Sequence, residues 1–365
     1  MTPSMDPRED RVALKLSLRD WLFTALLVTA LIAVMPRIPF RPRVPVVDRD
    51  YRMPYALSTR YDLYRRFTTL SAAQFATILL GDSVVWGQFA NRDQTLAHHL
   101  NELTKQPRFV NAGLDGMHPI ALAQLIEHHA PAIQRKDVIV QLDLLWMMVE
   151  DVPNPKTAQE ALMNRPGLVP RLAAGSDGSV KQTLEAAFAR LLRATPIERW
   201  AEVVADTRMD FLAWSLDHPY QSPLQAISAG LPPSEDFHSV RRVPWGGAES
   251  AKMDTEWPVL EEHGQWQAFE RLLDLLELRQ NRVLVLLGPM NEHMMRPPML
   301  EGYQRLKKRI QEKLAIRGVP CFAAPVLRSE YYTDICHPLG AGYEELAREL
   351  LKSESSWLLG TGQPR

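Results

Sequence analysis

Ala76-Thr77-Ile78-Leu79-Leu80-Gly81-Asp82-Ser83 is the stretch that decides how this 365-residue chain is read. An apolar run of strand type stops at a glycine and delivers an aspartate and a serine ahead of a helical pattern at residues 92–105. A serine at the carboxyl end of a parallel strand lies in the crevice that open α/β sheets use for ligands. Its backbone N–H can there meet a substrate oxygen. The same residues also read as a plain helix cap, a role that Asp82 or Ser83 serves well.

A second stretch answers the first from the other end of the chain. Tyr332-Thr333-Asp334-Ile335-Cys336-His337-Pro338-Leu339-Gly340 sets an aspartate and a histidine three apart, which on one helical turn puts both side chains on one face. Ser83, His337 and Asp334 then form a candidate triad, in which the histidine takes the serine proton and the carboxylate holds the ring in the right tautomer. Asp82 supports the nucleophile from the preceding position. An isolated Asp-x-x-His also arises in surface turns; the two segments in this order say more than either alone.

With these residues in hand, the chain resembles the SGNH, or GDSL, hydrolase superfamily. The resemblance rests on Gly81-Asp82-Ser83 after a strand, Asn111-Ala112-Gly113-Leu114-Asp115-Gly116 after a second strand, and Asp334-x-x-His337 before the last helix. It covers roughly residues 74–148 and 258–352. It implies Ser83 as nucleophile, His337 as base, Asp334 as orienter, and an oxyanion hole built from the backbone N–H groups of Ser83 and Gly116. The family's third block, Gly-x-Asn-Asp, is absent: the position reads Gln141-Leu142-Asp143-Leu144-Leu145-Trp146. Asn291, in Gly288-Pro289-Met290-Asn291-Glu292-His293, is the candidate for the missing side-chain donor, and a simple turn after Pro289 is the competing account. The chain is similar in layout to envelope members of the family, the teichoic acid D-alanyl transfer and alginate acetylation proteins. That likeness implies an envelope polymer or a small acyl ester as substrate, and a membrane-bound acyltransferase as partner.

Outward from these motifs, strands and helices alternate. A helix at 55–71 leads into the first strand, followed by a helix at 92–105, a strand at 108–112, a helix at 119–133 and a strand at 137–145. The rhythm resumes with a helix at 258–279, the buried strand Arg282-Val283-Leu284-Val285-Leu286-Leu287, a helix at 300–317, a strand at 320–327 and a helix at 339–351. This predicts an α/β fold over residues 71–352, a doubly wound, flavodoxin-like parallel sheet with helices on both faces. Residues 149–257 break the rhythm and read as a helical insertion beside the crevice. Trp200, Trp214, Trp245 and Trp257 can stack on sugar rings there, or serve as buried amphipathic aromatics. Residues 353–365 lack apolar periodicity and read as a flexible tail.

Residues 1–20 are a basic amino terminus, and residues 21–40 carry an apolar run that reads as a transmembrane anchor. Fifteen helical residues, 21–35, reach only about 22 Å, so flanking apolar residues and snorkelling arginines must extend it. No small-x-small pair follows the run, which favours an uncleaved anchor over a signal peptide. The positive-inside rule then places residues 1–20 in the cytoplasm and the catalytic domain in the periplasm. Residues 41–70 read as a Pro/Arg-rich spacer and lead-in helix.

A formal net charge of −1 gives no general attraction to nucleic acid. Two cysteines, Cys321 and Cys336, exclude a disulfide-stapled scaffold; a single bridge between them and two free thiols both stay open. The triad requires no cofactor and no metal. Two rival classes remain: a non-catalytic envelope binding or assembly factor that keeps the fold, and a metal hydrolase built from Asp143, His293, Asp334 and His337.

Overall fold

The structure, a computed structural model, describes residues 17–34, 47–55, 61–148, 168 and 243–360. The chain divides into two compact units, residues 1–42 with 176–213 and residues 43–175 with 214–365; the sheet lies in the second. Five parallel strands build it: β1 (Thr77–Leu80), β2 (Phe109–Asn111), β3 (Asp137–Leu142), β4 (Arg282–Leu287) and β5 (Cys321–Ala323). Their order is β2-β1-β3-β4-β5, the doubly wound, flavodoxin-like arrangement, which reverses direction between β1 and β3. The switch point between those strands is where such sheets bind ligands, and Ser83 follows β1 directly.

Continuous apolar runs make these strands because helices cover both faces. All four residues of β1 and the last five of β4 are buried. Among the described residues the helices are α1 (Leu18–Val34), α2 (Tyr61–Gln74), α3 (Ser83–Trp86), α4 (Leu96–Thr104), α5 (Pro119–His129), α6 (Gly264–Leu278), α7 (Pro297–Arg317) and α8 (Gly340–Leu359). Helix α5 packs on α2 and α6, while α4 packs on α8. Arg317 of α7 reaches Asp274 and Glu277 of α6 at 2.7 and 2.8 Å.

Several boundaries differ from expectation for local reasons. β3 stops at Leu142 because the Asp143 carboxylate accepts the Leu145 N–H at 2.8 Å and turns the chain into a 3-10 turn, Leu144–Met148. The flexible tail predicted over 353–365 is helical as far as Leu359. Leu358 is fully buried, and Arg282 stacks 4.6 Å from the Trp357 ring while donating to its carbonyl at 2.7 Å. Within the predicted spacer, residues 47–55 are packed on the domain rather than standing off it: Val47, Tyr51, Arg52 and Met53 are buried.

Of the transmembrane helix predicted over 21–40, residues 35–40 lie outside the described residues. Among the described residues no helix is long and apolar enough to cross a membrane, and α1 has 17 residues, about 25 Å of rise. Most of the insertion, residues 149–242, lies outside the described residues apart from Leu168. Trp200 and Trp214 fall there. Trp257 donates its indole N–H to the Met299 carbonyl at 2.9 Å and packs on Tyr303, a structural use of an amphipathic ring. Cys321, half-buried, and Cys336, buried, are both free thiols.

Candidate active site

Each side of the crevice begins with a local capping event. Asp82 is the N-cap of α3, its Oδ1 accepting the Val84 N–H at 2.9 Å, so Ser83 becomes the first residue of a short helix at the carboxyl end of β1. Glycine is required at Gly81 because a Cβ would fall 2.5 Å from Val85 Cγ2 and 2.7 Å from the Gln141 side-chain amide. It is required again at Gly113, where a Cβ would sit 2.6 Å from the Trp86 nitrogen, so the loop after β2 lies directly against α3.

The second motif forms a bend rather than the helical turn its spacing predicts. Asp334 Oδ1 accepts the backbone N–H groups of Cys336 and His337 at 3.0 and 2.9 Å, and the Thr333 N–H closes on the His337 carbonyl at 3.1 Å. That bend sends the imidazole toward the serine. Ser83 Oγ lies 2.8 Å from His337 Nε2, while His337 Nδ1 lies 2.8 Å from Asp334 Oδ2. With Nδ1 facing a carboxylate it carries the proton, which leaves the Nε2 lone pair toward the hydroxyl. The Phe89 ring meets the imidazole edge-on at 5.3 Å and closes one side.

Burial opposes a charge on His337, but the Asp334 hydrogen bond and the charges of Asp334, Asp82 and Asp143 outweigh it, and its pKa is raised. Burial likewise opposes ionisation of Asp334, yet its bonds to His337 and to two backbone N–H groups hold its pKa below the ordinary value.

Behind the serine sits a buried acidic pair that the sequence reading only half anticipates. Asp82 Oδ2 accepts the Trp146 indole N–H at 2.7 Å. With its nitrogen turned toward Asp82, the Gln141 amide donates to Asp82 Oδ1 at 3.1 Å and accepts the Asp143 N–H at 3.2 Å. Burial raises Asp82, against the bonds from Val84 and Trp146. Burial and then the Asp82 charge push Asp143 up to about 7. Burial also drives the Cys336 thiol well above its ordinary range.

Of the remaining candidates, Gly116 lies on the turn after β2 with φ +65°, a left-handed conformation suited to glycine. Asn291 lies against the bend of the second motif. It is fully buried, and its Nδ2 points to the Asp334 carbonyl at 3.4 Å while its backbone N–H donates to Ile335 at 2.7 Å. The four residues of the metal-hydrolase set are not brought together. His293 Nε2 bonds the Leu327 carbonyl at 3.1 Å, and the groups within metal-binding reach among the described residues are Asp334, Cys336 and His337.

Trp146 escapes sequence reasoning, because a lone Trp after a strand carries no signal of its own. No model of a known protein family matches the chain, and no curated protein matches it in sequence.

Proposed function

We propose that the protein is a serine esterase or O-acyltransferase of the SGNH type, acting outside the cytoplasmic membrane on an acylated envelope polysaccharide or similar polymer. The observation that carries this reading is the hydrogen-bonded chain Ser83 Oγ–His337 Nε2 and His337 Nδ1–Asp334, both steps at 2.8 Å. His337 takes the Ser83 proton as Oγ attacks the acyl carbonyl, and the backbone N–H groups of Ser83 and Gly116 meet the oxyanion. Collapse expels the alcohol, which leaves with the proton from His337, and an acyl-Ser83 ester remains. Water or a sugar hydroxyl, giving its proton to His337, then attacks that ester and frees the serine. In the transfer reaction a membrane-bound acyltransferase partner supplies the acyl group.

One observation favours the alternative, a non-catalytic envelope assembly factor. Trp146 spends its only side-chain N–H on Asp82, and Asn291 Nδ2 turns one N–H to the Asp334 carbonyl at 3.4 Å, so the indole supplies no side-chain oxyanion donor in place of the family's third block.

A fluorophosphonate probe and p-nitrophenyl acetate separate the two readings. The esterase reading expects the probe to label Ser83. Ser83→Ala and His337→Ala should each lower turnover by about a thousandfold or more, the double mutant being scarcely worse because the residues act as a unit. The base must be neutral to act, and its pKa is raised, so kcat/KM should climb through an acid limb above the ordinary histidine value of about 6.5. Asp334→Asn should move that limb to lower pH and reduce its ceiling by less than Ser83→Ala does. Near-wild-type turnover in folded Ser83→Ala protein would end the esterase reading, and an unlabelled wild type would favour the assembly factor.

A further inference from the structure

Helix α3 is only four residues long, and a helix this short cannot satisfy its own carbonyls. Its intrinsic bonds run from the Trp86 N–H to the Asp82 carbonyl at 2.9 Å and from the Gly87 N–H to the Ser83 carbonyl at 2.9 Å. The carbonyls of Val84, Val85 and Trp86 must find donors elsewhere, and each does so in a distant segment; the Gly87 carbonyl takes the Ala90 N–H at 3.1 Å and a distant donor besides. Tyr343 Oη of α8 donates to Val84 at 2.6 Å, and Asn111 Nδ2 at the end of β2 donates to Val85 at 2.7 Å and Trp86 at 3.3 Å.

The remaining donor comes from the amino-terminal side of the domain. Arg52 is 1% exposed, and its Nη1 donates to the carbonyls of Trp86, Gly87 and Ala90 at 3.2, 2.8 and 3.1 Å. Its guanidinium also lies 4.0 Å from the centre of the Trp86 ring. Neighbouring residues join the grip: the Met53 carbonyl accepts the Trp86 indole N–H at 2.8 Å, and the Tyr55 ring meets the Trp86 ring at 5.2 Å. The arm is held in turn by a His98–Asp50 contact at 2.9 Å and an Arg49–Glu102 contact at 2.8 Å.

We propose that Arg52 is a positioning residue for the nucleophile: the arm of residues 47–55 fixes the carboxyl end of α3, and through it the Ser83 hydroxyl against His337. This rests on the esterase reading above. A buried cation on the carbonyl end of a helix is favoured by the helix dipole, and its charge-assisted bonds are stronger than neutral ones. A side chain without donors removes the charge-assisted bonds at all three carbonyls, leaving Trp86 only Asn111 Nδ2 at 3.3 Å and Gly87 only the Ala90 N–H at 3.1 Å, so the carboxyl end of α3 is free to tilt. Displacing a reacting atom by about 1 Å typically costs a hundredfold in rate.

The test uses the full chain and compares wild type, Arg52→Met and Arg52→Lys below the melting temperature of all three. Arg52→Met is expected to slow fluorophosphonate labelling of Ser83 and kcat for p-nitrophenyl acetate together by about a hundredfold, with KM within about twofold. Arg52→Lys restores a donor and a charge without the planar fork, and is expected to recover about tenfold of the loss. A purely structural role would lower the melting temperature and leave kcat of the folded fraction unchanged. That result in folded Arg52→Met overturns the proposal while leaving the esterase reading intact. If Arg52→Met does not fold, Arg52→Lys decides, and a wild-type kcat there overturns it. A wild type that neither labels nor turns over overturns the esterase reading and this proposal together.

Discussion

Asp143 illustrates how much of this site is set by single buried residues. It is 3% exposed, lies beside a second buried carboxylate, and has a pKa pushed up to about 7 by burial and the Asp82 charge. An unfolded aspartate titrates near 3.9, so between those values the native state binds more protons than the unfolded state, and stability falls as pH rises. Asp143→Asn keeps an acceptor for the Leu145 N–H and removes the charge. It should leave the melting temperature nearly unchanged at pH 4 and raise it at pH 8.5; equal shifts at both pH values would contradict the burial account. Ser83, His337 and Asp334 are legible in sequence because each motif is local: a strand end, a glycine, and an Asp-x-x-His within a few residues. Arg52, Asn111, Tyr343 and Trp146 are not, because their roles arise where segments far apart in the chain meet around α3. The partners of Asn291 are hidden from sequence for the same reason. Its position after β4 is right for the crevice rim, but the bend at 334–337 claims its amide.

At the scale of elements, the apolar runs carry the reading and the ends escape it. β4 is recovered residue for residue because Arg282-Val283-Leu284-Val285-Leu286-Leu287 is continuous and buried, whereas β3 is overestimated because Asp143 caps it from within the apolar run. The end of α8 is the instructive miss. Ser353, Glu354, Ser355 and Ser356 dilute the apolar period, and φ/ψ at Glu354 departs from helical values, so the pattern fades just where the chain crosses back onto the sheet. Tertiary contacts hold it: Asp137, at the start of β3, takes Arg282 Nε and Nη2 at 2.9 and 2.7 Å, and Arg282 in turn bonds the Trp357 carbonyl at 2.7 Å. Leu358 is fully buried in the core. Leu358→Ala should therefore destabilise the protein by about 2–4 kcal/mol, and a chain stopped after Lys352 by more. Chemical denaturation measures both. A loss under about 0.5 kcal/mol for Leu358→Ala would return this segment to the status of a tail.

For the whole molecule, the open matter is what α1 is for. It carries Trp21, Leu22, Phe23, Leu26 and Leu27, each more than half exposed, and burying such side chains is favourable by about 1.5–3 kcal/mol apiece. Its 17 residues rise about 25 Å against a hydrocarbon core of about 30 Å, so α1 by itself is short of a span. Arg8, Arg11 and Lys15 stand before the helix, Arg19 lies in its first turn, and Arg37, Arg41 and Arg43 stand after it. Basic side chains on both flanks can reach the headgroups while their stems lengthen the apolar path. The proposal of membrane attachment draws on that pattern, and it makes a physical demand on the arm at 47–55: the residues that grip α3 begin only a short way past the proposed anchor. The full chain should remain in the membrane fraction after washing with high salt and with alkaline carbonate, and a chain lacking residues 1–40 should be released while keeping its melting temperature, because the arm and the sheet are retained. Sequencing the amino terminus of the membrane-extracted protein checks the same proposal from the other side. A mature chain beginning near Pro36 would identify residues 1–35 as a removed leader and leave the catalytic domain without this means of attachment.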